Sequence, residues 1–232
     1  NLKLKSLSCQ DRQLTTVLLP NTLTAIAFSG CSSLTEINLP ASLTSIGESA
    51  FYDCSSLTEI HLPANLTSIR EGVFNGCSSL TEIHLPASLT SIGGAAFRGC
   101  SSLTEIHLPA SLTSIGAAFG GCSGLTEIHL PDNLTSIESS TFNFCSSLTE
   151  IHLPASLTSI GGYAFDQCTS LMKIMCYALT PPTISGRFLF GFAHSGHLLY
   201  NRSENLYVPA ESIQAYKDSD WASYFENILP IE

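Results

Sequence analysis

The stretch Cys77-Ser78-Ser79-Leu80-Thr81-Glu82-Ile83-His84-Leu85-Pro86-Ala87-Ser88-Leu89-Thr90-Ser91-Ile92-Gly93 decides how this chain folds, because it returns almost letter for letter along most of the sequence. Its cysteine recurs at Cys31, Cys54, Cys77, Cys100, Cys122, Cys145 and Cys168, 23 residues apart save for one step of 22. The short step comes from one residue missing between Ile115 and Phe119, compared with Ile92 to Phe97. Cys9 extends the series backwards in a degenerate copy. Within one unit, Leu80 to Leu85 alternates with period two, which sets Ile83 and Leu85 on one side of a strand and Glu82 and His84 on the other. Pro86 ends that strand, because it has no N–H to give to a ladder. Leu89 to Ile92 reads as a second short extended segment with Leu89 and Ile92 turned inward. Gly93 permits the next bend, and Phe97 and Cys100 return to the interior. No unit can bury these residues alone; stacked units turn them into continuous columns of Leu, Ile, Phe and Cys.

A period between 20 and 29 residues with Leu-x-x-Ile-x-Leu is the signature of a leucine-rich-repeat solenoid. The expected architecture is a parallel β-sheet on the concave face, with short extended segments and turns on the convex face. Neighbouring strands lie about 4.8 Å apart, so eight or nine of them make a sheet roughly 35–40 Å long. Residues 1–172 are assigned to repeats of 22–23 residues and residues 173–232 to a small α+β C-terminal capping unit. Met172 to Cys176 keep the strand register, but Pro181-Pro182 and the Gly- and Phe-rich stretch from Gly186 to Phe192 break the pattern. Leu206-Tyr207-Val208-Pro209 restores a strand and its proline. Glu211 to Lys217 can make two helical turns with Ile213 and Tyr216 on one side. Trp221, Tyr224, Phe225 and Ile228 supply the apolar area that must cover the last coil. Asn1 to Gln13 has no comparable cap, and the expectation is that the native protein continues upstream.

The pattern Ile-x-Leu-Pro-x-x-Leu-x-x-Ile-Gly…Ala-Phe-x-x-Cys at Ile83–Cys100, and its variant at Ile60–Cys77, resembles the BspA-like (Treponema pallidum-type) leucine-rich repeats over about residues 9–172. Departures such as Val73-Phe74 and Thr141-Phe142 are conservative for a buried position. The tail, with Leu206-Tyr207-Val208-Pro209, Ser212, Tyr216-Lys217 and Trp221, is similar to the C-terminal ends of such proteins from Bacteroidota. The resemblance implies a non-catalytic adhesion module of a secreted or cell-surface bacterial protein, acting on a host or other-cell surface protein.

Composition narrows the function classes. Of the 232 residues 44% are hydrophobic and 12% charged, which excludes a disordered chain. Apolar runs are far shorter than the roughly 20 residues of a membrane span, so no membrane insertion is expected in this chain. A net charge of −10 and a pI near 5.0 argue against nucleic acid or an anionic membrane as partner. That charge is concentrated: between Gln13 and Met172, Arg70 and Arg98 face twelve acidic residues.

All but Cys176 of the nine cysteines fall one per coil, and in stacked coils their Cβ atoms are about 4.8 Å apart with parallel vectors, whereas a disulfide needs about 3.8 Å. They read as a ladder of buried free thiols, with a Cys168–Cys176 bridge at the cap as the alternative. Clustered zinc spacing such as Cys-x-x-Cys is absent.

The candidate site is a double stripe on the outer side of the strands: Glu36, Glu59, Glu82, Glu105, Glu127 and Glu150 in one column, and Asn38, His61, His84, His107, His129 and His152 in the other. Carboxylates about 5 Å apart repel by roughly 0.8 kcal/mol in water, which adjacent imidazoles can relieve by taking protons. Four readings apply: a solvated face copied by duplication, a partner-binding surface, divalent-metal capture by His and Glu, and catalysis. The last is the weakest, because no residue in the columns is unlike its neighbours and no nucleophile elbow, phosphate loop or His-Glu-x-x-His helix occurs. No catalytic residue, metal ligand or cofactor is assigned.

Specificity would reside in deviating positions: Arg70, Arg98, Tyr52, Asp53, Phe144 and the loop from Gly186 to Asn201, with Tyr163 joining Tyr52 and Phe144 as a conceivable aromatic patch for sugar. Asn65, Asn133 and Asn201 match the glycosylation acceptor pattern, which these common residues produce by coincidence. His194 and His197 read as loop histidines. The functional expectation is a monomeric interaction module binding a protein on the Glu/His face, outside the cell or at its surface. The alternatives are a metal- or pH-responsive His/Glu ladder and a purely structural scaffold.

Overall fold

The structure, a computed structural model, describes residues 5–186 and 203–231. It is a parallel β-solenoid of about nine turns, and most of them contribute one or both of the short strands read from the repeat. The strands Glu59–His61, Glu82–His84, Glu105–His107, Glu127–His129 and Glu150–Leu153 form one column, and Asn38 bridges to His61 at its start. Pairing is parallel and offset by one coil, so like faces like: Glu59 opposite Glu82, Ile106 opposite Ile128, His129 opposite His152. The second column holds Ser68–Ile69, Ser91–Ile92, Ser136–Ile137 and Ser159–Gly161, and Ser114 bridges to Ser91. Near the N-terminus Ser6–Ser8 pairs with Ala25–Ala27, with Leu7 in the Ile26 column. Part of the stretch read as lacking a cap is therefore a strand of the solenoid.

A third ladder runs along the phenylalanines. The backbone N–H of Phe51 donates to Val73 O at 2.9 Å, Phe74 to Ala96 O at 2.8 Å, and Phe97 to Ala118 O at 2.9 Å. Every coil is thus tied to the next through backbone on several sides, which answers the polar demand of a chain with little regular structure.

The core is the set of columns the repeat prescribes. Leu80, Phe74 and Cys77 and their equivalents between Phe28 and Leu148 are fully buried, and Ile83 and its equivalents nearly so. Phe28, Phe51, Phe74, Phe97, Phe119, Phe142 and Phe165 stack with ring centroids 5.4–6.0 Å apart and planes within 16° of parallel. From Cys54 to Cys168 each thiol of the column donates to the phenylalanine carbonyl of the preceding coil, as Cys77 does to Phe51 at 3.1 Å, Cys100 to Phe74 at 3.2 Å and Cys145 to Phe119 at 3.3 Å, while Cys31 donates to Cys9 O. All nine cysteines are free. Cys168 is engaged with Phe142 O and Cys176 accepts from the Tyr216 hydroxyl, so the bridge weighed for this pair is not made.

The sheet runs on past residue 172. Lys173–Cys176 pairs with Glu150–Leu153, and Ser203–Val208 and Phe225–Pro230 add two further parallel strands. The helix Ile213–Lys217, preceded by a 3₁₀ turn at Ala210–Ser212, places Tyr216 in the interior. The Tyr216 hydroxyl reaches Ala178 O at 2.9 Å and the Trp221 indole N–H reaches Pro182 O at 2.8 Å. Trp221 meets Tyr216 edge-on and stacks on Phe225, a large apolar surface over the end of the core. His194, His197, Asn201 and the loop from 187 to 202 lie outside the described residues.

Candidate functional site

In each Glu-Ile-His strand the isoleucine is buried and the two polar residues face outward, as alternation requires. Glu36 and Asn38 are exposed in the coil before. The structure therefore brings all twelve expected residues onto one face in two files. Within a strand the pair is close: His84 Nε2 lies 3.3 Å from Glu82 Oε1, and His129 Nε2 lies 3.3 Å from Glu127 Oε1. Along the histidine file, His61 and His84 stack at 6.3 Å with planes 8° apart, and His129 and His152 meet at 6.2 Å with a 40° tilt. A recess of about 470 Å³ opens between the last two coils, lined by Glu127, His129, Glu150 and His152 among others.

The C-terminal end of the stripe differs from the rest. Lys173 stands in register with Glu150, and its Nζ lies 2.8 Å from Glu150 Oε1. His152 Nε2 lies 2.6 Å from the same oxygen and Nδ1 lies 3.2 Å from the Tyr177 hydroxyl, so the ring bridges the carboxylate and the phenol. Tyr177 packs on His152 at 5.9 Å, and Lys173 Nζ sits 5.8 Å from the Tyr207 ring centroid. The hydrogen bond from Lys173, then that from His152, holds the Glu150 carboxyl below its ordinary range against partial burial. Lys173 is raised in turn by Glu150.

Lys173, Tyr177 and Tyr207 were absent from the candidate set. The signal for Lys173 was present: counting 23 on from Glu150 lands on it. Tyr207 answers to the histidine file through Met175, a register that only the cap strands reveal.

Of the deviating positions, Arg70 reaches Glu48 at 3.9 Å, and Tyr52, Phe144 and Tyr163 are exposed. Asn65 and Asn133 are exposed, and the Asn133 amide donates to Ala110 O at 3.2 Å. Thr141, read as conservative for a buried position, is indeed fully buried, and its hydroxyl reaches Glu138 O at 2.7 Å and Gly116 O at 3.1 Å. Among the described residues no group of three or more His, Cys, Asp or Glu is arranged to hold a metal ion. No helix among them is long and apolar enough to cross a membrane.

Comparison with known proteins supplies the context. The family model for the BspA type leucine-rich repeat region matches residues 3–118 and 96–186. A leucine-rich repeat protein from Bacteroides ovatus is 26% identical and superimposes over 90% of this chain with a TM-score of 0.65. This chain spans 64% of the length of that protein. The T. pallidum leucine-rich repeat protein is 28% identical, with 76% of this chain and 75% of that one covered and a TM-score of 0.54. A leucine-rich cell surface protein from Faecalibacterium prausnitzii shares the fold at 22% identity over 98% of this chain and 83% of that one, with a TM-score of 0.50. No match is found among curated protein sequences.

Proposed function

The chain belongs to the BspA-type leucine-rich-repeat family, and from that premise we propose that it is a non-catalytic protein-interaction module that meets its partner on the Glu/His face. One observation carries the reading. Repetition in register sets six carboxylates and five imidazoles side by side on a single exposed surface, a regular array with alternating acceptors and switchable donors. Such an array matches a basic or mixed protein surface, and the net charge of −10 accelerates the encounter with one. Lys173, Tyr177 and Tyr207 add the kind of aromatic and cationic anchor that concentrates binding energy. The setting we infer is extracellular or at a bacterial cell surface, with a host or other-cell protein as the adhesion partner and the chain itself a monomer. The cell-surface description of the F. prausnitzii protein agrees with that setting.

The test is capture of extracellular-matrix and mucosal proteins at low and high salt, using the wild type and a triple variant Glu82→Lys, Glu105→Lys, Glu127→Lys. Salt-sensitive capture that the triple variant loses is the expected result. Undiminished capture would remove the Glu/His face from the reading. A proton-responsive second reading draws on the three close Glu–His pairs. It predicts that partner capture depends on pH over the range in which histidine side chains change charge, and pH-independent capture would remove it.

A further inference from the structure

The repeat is broken twice in the same coil. The 22-residue step between Cys100 and Cys122 shortens the turn before Phe119, and Gly120 stands where the other coils carry Tyr52, Asn75, Arg98, Asn143 or Asp166. The missing residue and the missing side chain leave a recess of about 450 Å³ on the turns beside the phenylalanine stack, away from the Glu/His strands. Its floor is glycine and alanine backbone. Its walls are Glu71 and Arg98 on one side and Ser140, Asn143 and Phe144 on the other.

Two of these residues are held in ways that packing does not reward. Arg98 has no carboxylate within ion-pair distance among the described residues, whereas Arg70, one coil before, reaches Glu48. Phe144 adopts φ of +61° and is 55% exposed, at a left-handed position that is Gly30, Gly76, Gly99 or Gly121 in four other coils and Asp53 or Gln167 in two. A left-handed non-glycine residue costs roughly 1–2 kcal/mol, and a ring left in solvent returns little of it. Left-handed residues recur along the coils, and what sets Phe144 apart in its column is the large apolar ring left in solvent beside the recess.

From this lining we propose that the recess binds a single carboxylate-bearing sugar unit at the end of a glycan. The size is right, since ligand clefts run from about 300 to 1,000 Å³. Arg98 answers a carboxylate in two-pronged fashion. Glu71, Ser140 and Asn143 supply the mixed acceptors and donors that ring hydroxyls need. Phe144 offers an apolar face to the C–H side of a pyranose. A polyanionic chain is disfavoured by the twelve acidic residues of the coils, which leaves one terminal charge as the acceptable case. The proposal stands apart from the Glu/His face and does not depend on it.

The probes are sialyllactose, its neutral counterpart lactose, glucuronic acid and an Asp/Glu-rich peptide, read by saturation-transfer NMR and calorimetry on the whole chain. The acidic sugars are expected to bind at least about tenfold more tightly than lactose, as a lost charged contact requires. Arg98→Gln should bring them down to the lactose level. Gly120→Asn should abolish binding by restoring the repeat's own side chain. A Cβ there meets nothing nearer than Ser140 O at 3.5 Å and the φ is unexceptional, so this variant keeps its thermal transition. Glu105→Lys, on the distant strands, should leave sugar binding unchanged, which separates this site from the partner-binding face. Absence of saturation transfer at about 10 mM sugar, equal binding of acidic and neutral sugars, indifference to both recess variants, or preference for the acidic peptide would each overturn the proposal.

Discussion

Glu150 has the same sequence neighbours as Glu127 and a different environment, because the next coil sets Lys173 rather than another glutamate beside it. Its folded-state pKa is lowered, so the stabilisation from Lys173 and His152 is complete above the ordinary carboxylate value of about 4.3 and disappears as pH falls through the folded value. Lys173→Gln should move the Glu150 carboxyl titration upward, back toward the ordinary value, while leaving that of Glu82 in place. Side-chain carbonyl NMR on the two residues measures this, and an unmoved Glu150 would contradict the ion pair. This residue also marks where reading by pattern stops. Periodicity predicts which letters share a file, and it predicted the six glutamates and five histidines correctly. It assigns the same environment to every member, so it misses the one whose neighbour in space is no longer a copy of itself.

At the scale of the coil, the thiol and phenylalanine columns were legible because burial of a repeated apolar residue has one solution, the stack. Burial pushes the thiols up, Cys54, Cys100 and Cys145 to about 12 and Cys77, Cys122 and Cys168 well above their ordinary value. Native protein at about pH 8 should therefore expose one thiol to a disulfide reagent, the half-buried Cys9, and nine in denaturant. Several fast-reacting thiols in the native state would mean that the columns open readily. Thr141 was not legible in the same way. Its two neighbours in the column are Ala118 and Ala164, and only the structure shows its hydroxyl meeting Gly116 O, the carbonyl beside the deletion. Thr141→Ala restores the commoner residue and should nevertheless destabilise by about 1–3 kcal/mol, since it strands a buried acceptor. Denaturant unfolding of the single variant is the check, and a neutral or stabilising outcome would refute that role.

For the molecule as a whole, twelve acids against two bases between Gln13 and Met172 make self-repulsion part of the folded state. Added sodium chloride shortens the Debye length from about 30 Å at 0.01 M to about 8 Å at 0.15 M. The thermal midpoint at neutral pH should accordingly rise across that range, and a salt-independent or falling midpoint would show that the stripe repels too weakly to matter. Fold class followed from the sequence because every level of it agrees: the strand alternation, the proline stop, the aromatic return and the period. The cap followed only in outline, since its two strands join the long sheet through a register that no repeat letter announces. Like opposite like in each coil has one more consequence. A gene for such a chain can gain or lose whole units without redesigning any contact, because every new turn presents to its neighbours the surface they already fit. Each unit gained carries whatever rides on the terminal cap about 4.8 Å further out, so the molecule is a spacer whose reach is set in equal increments.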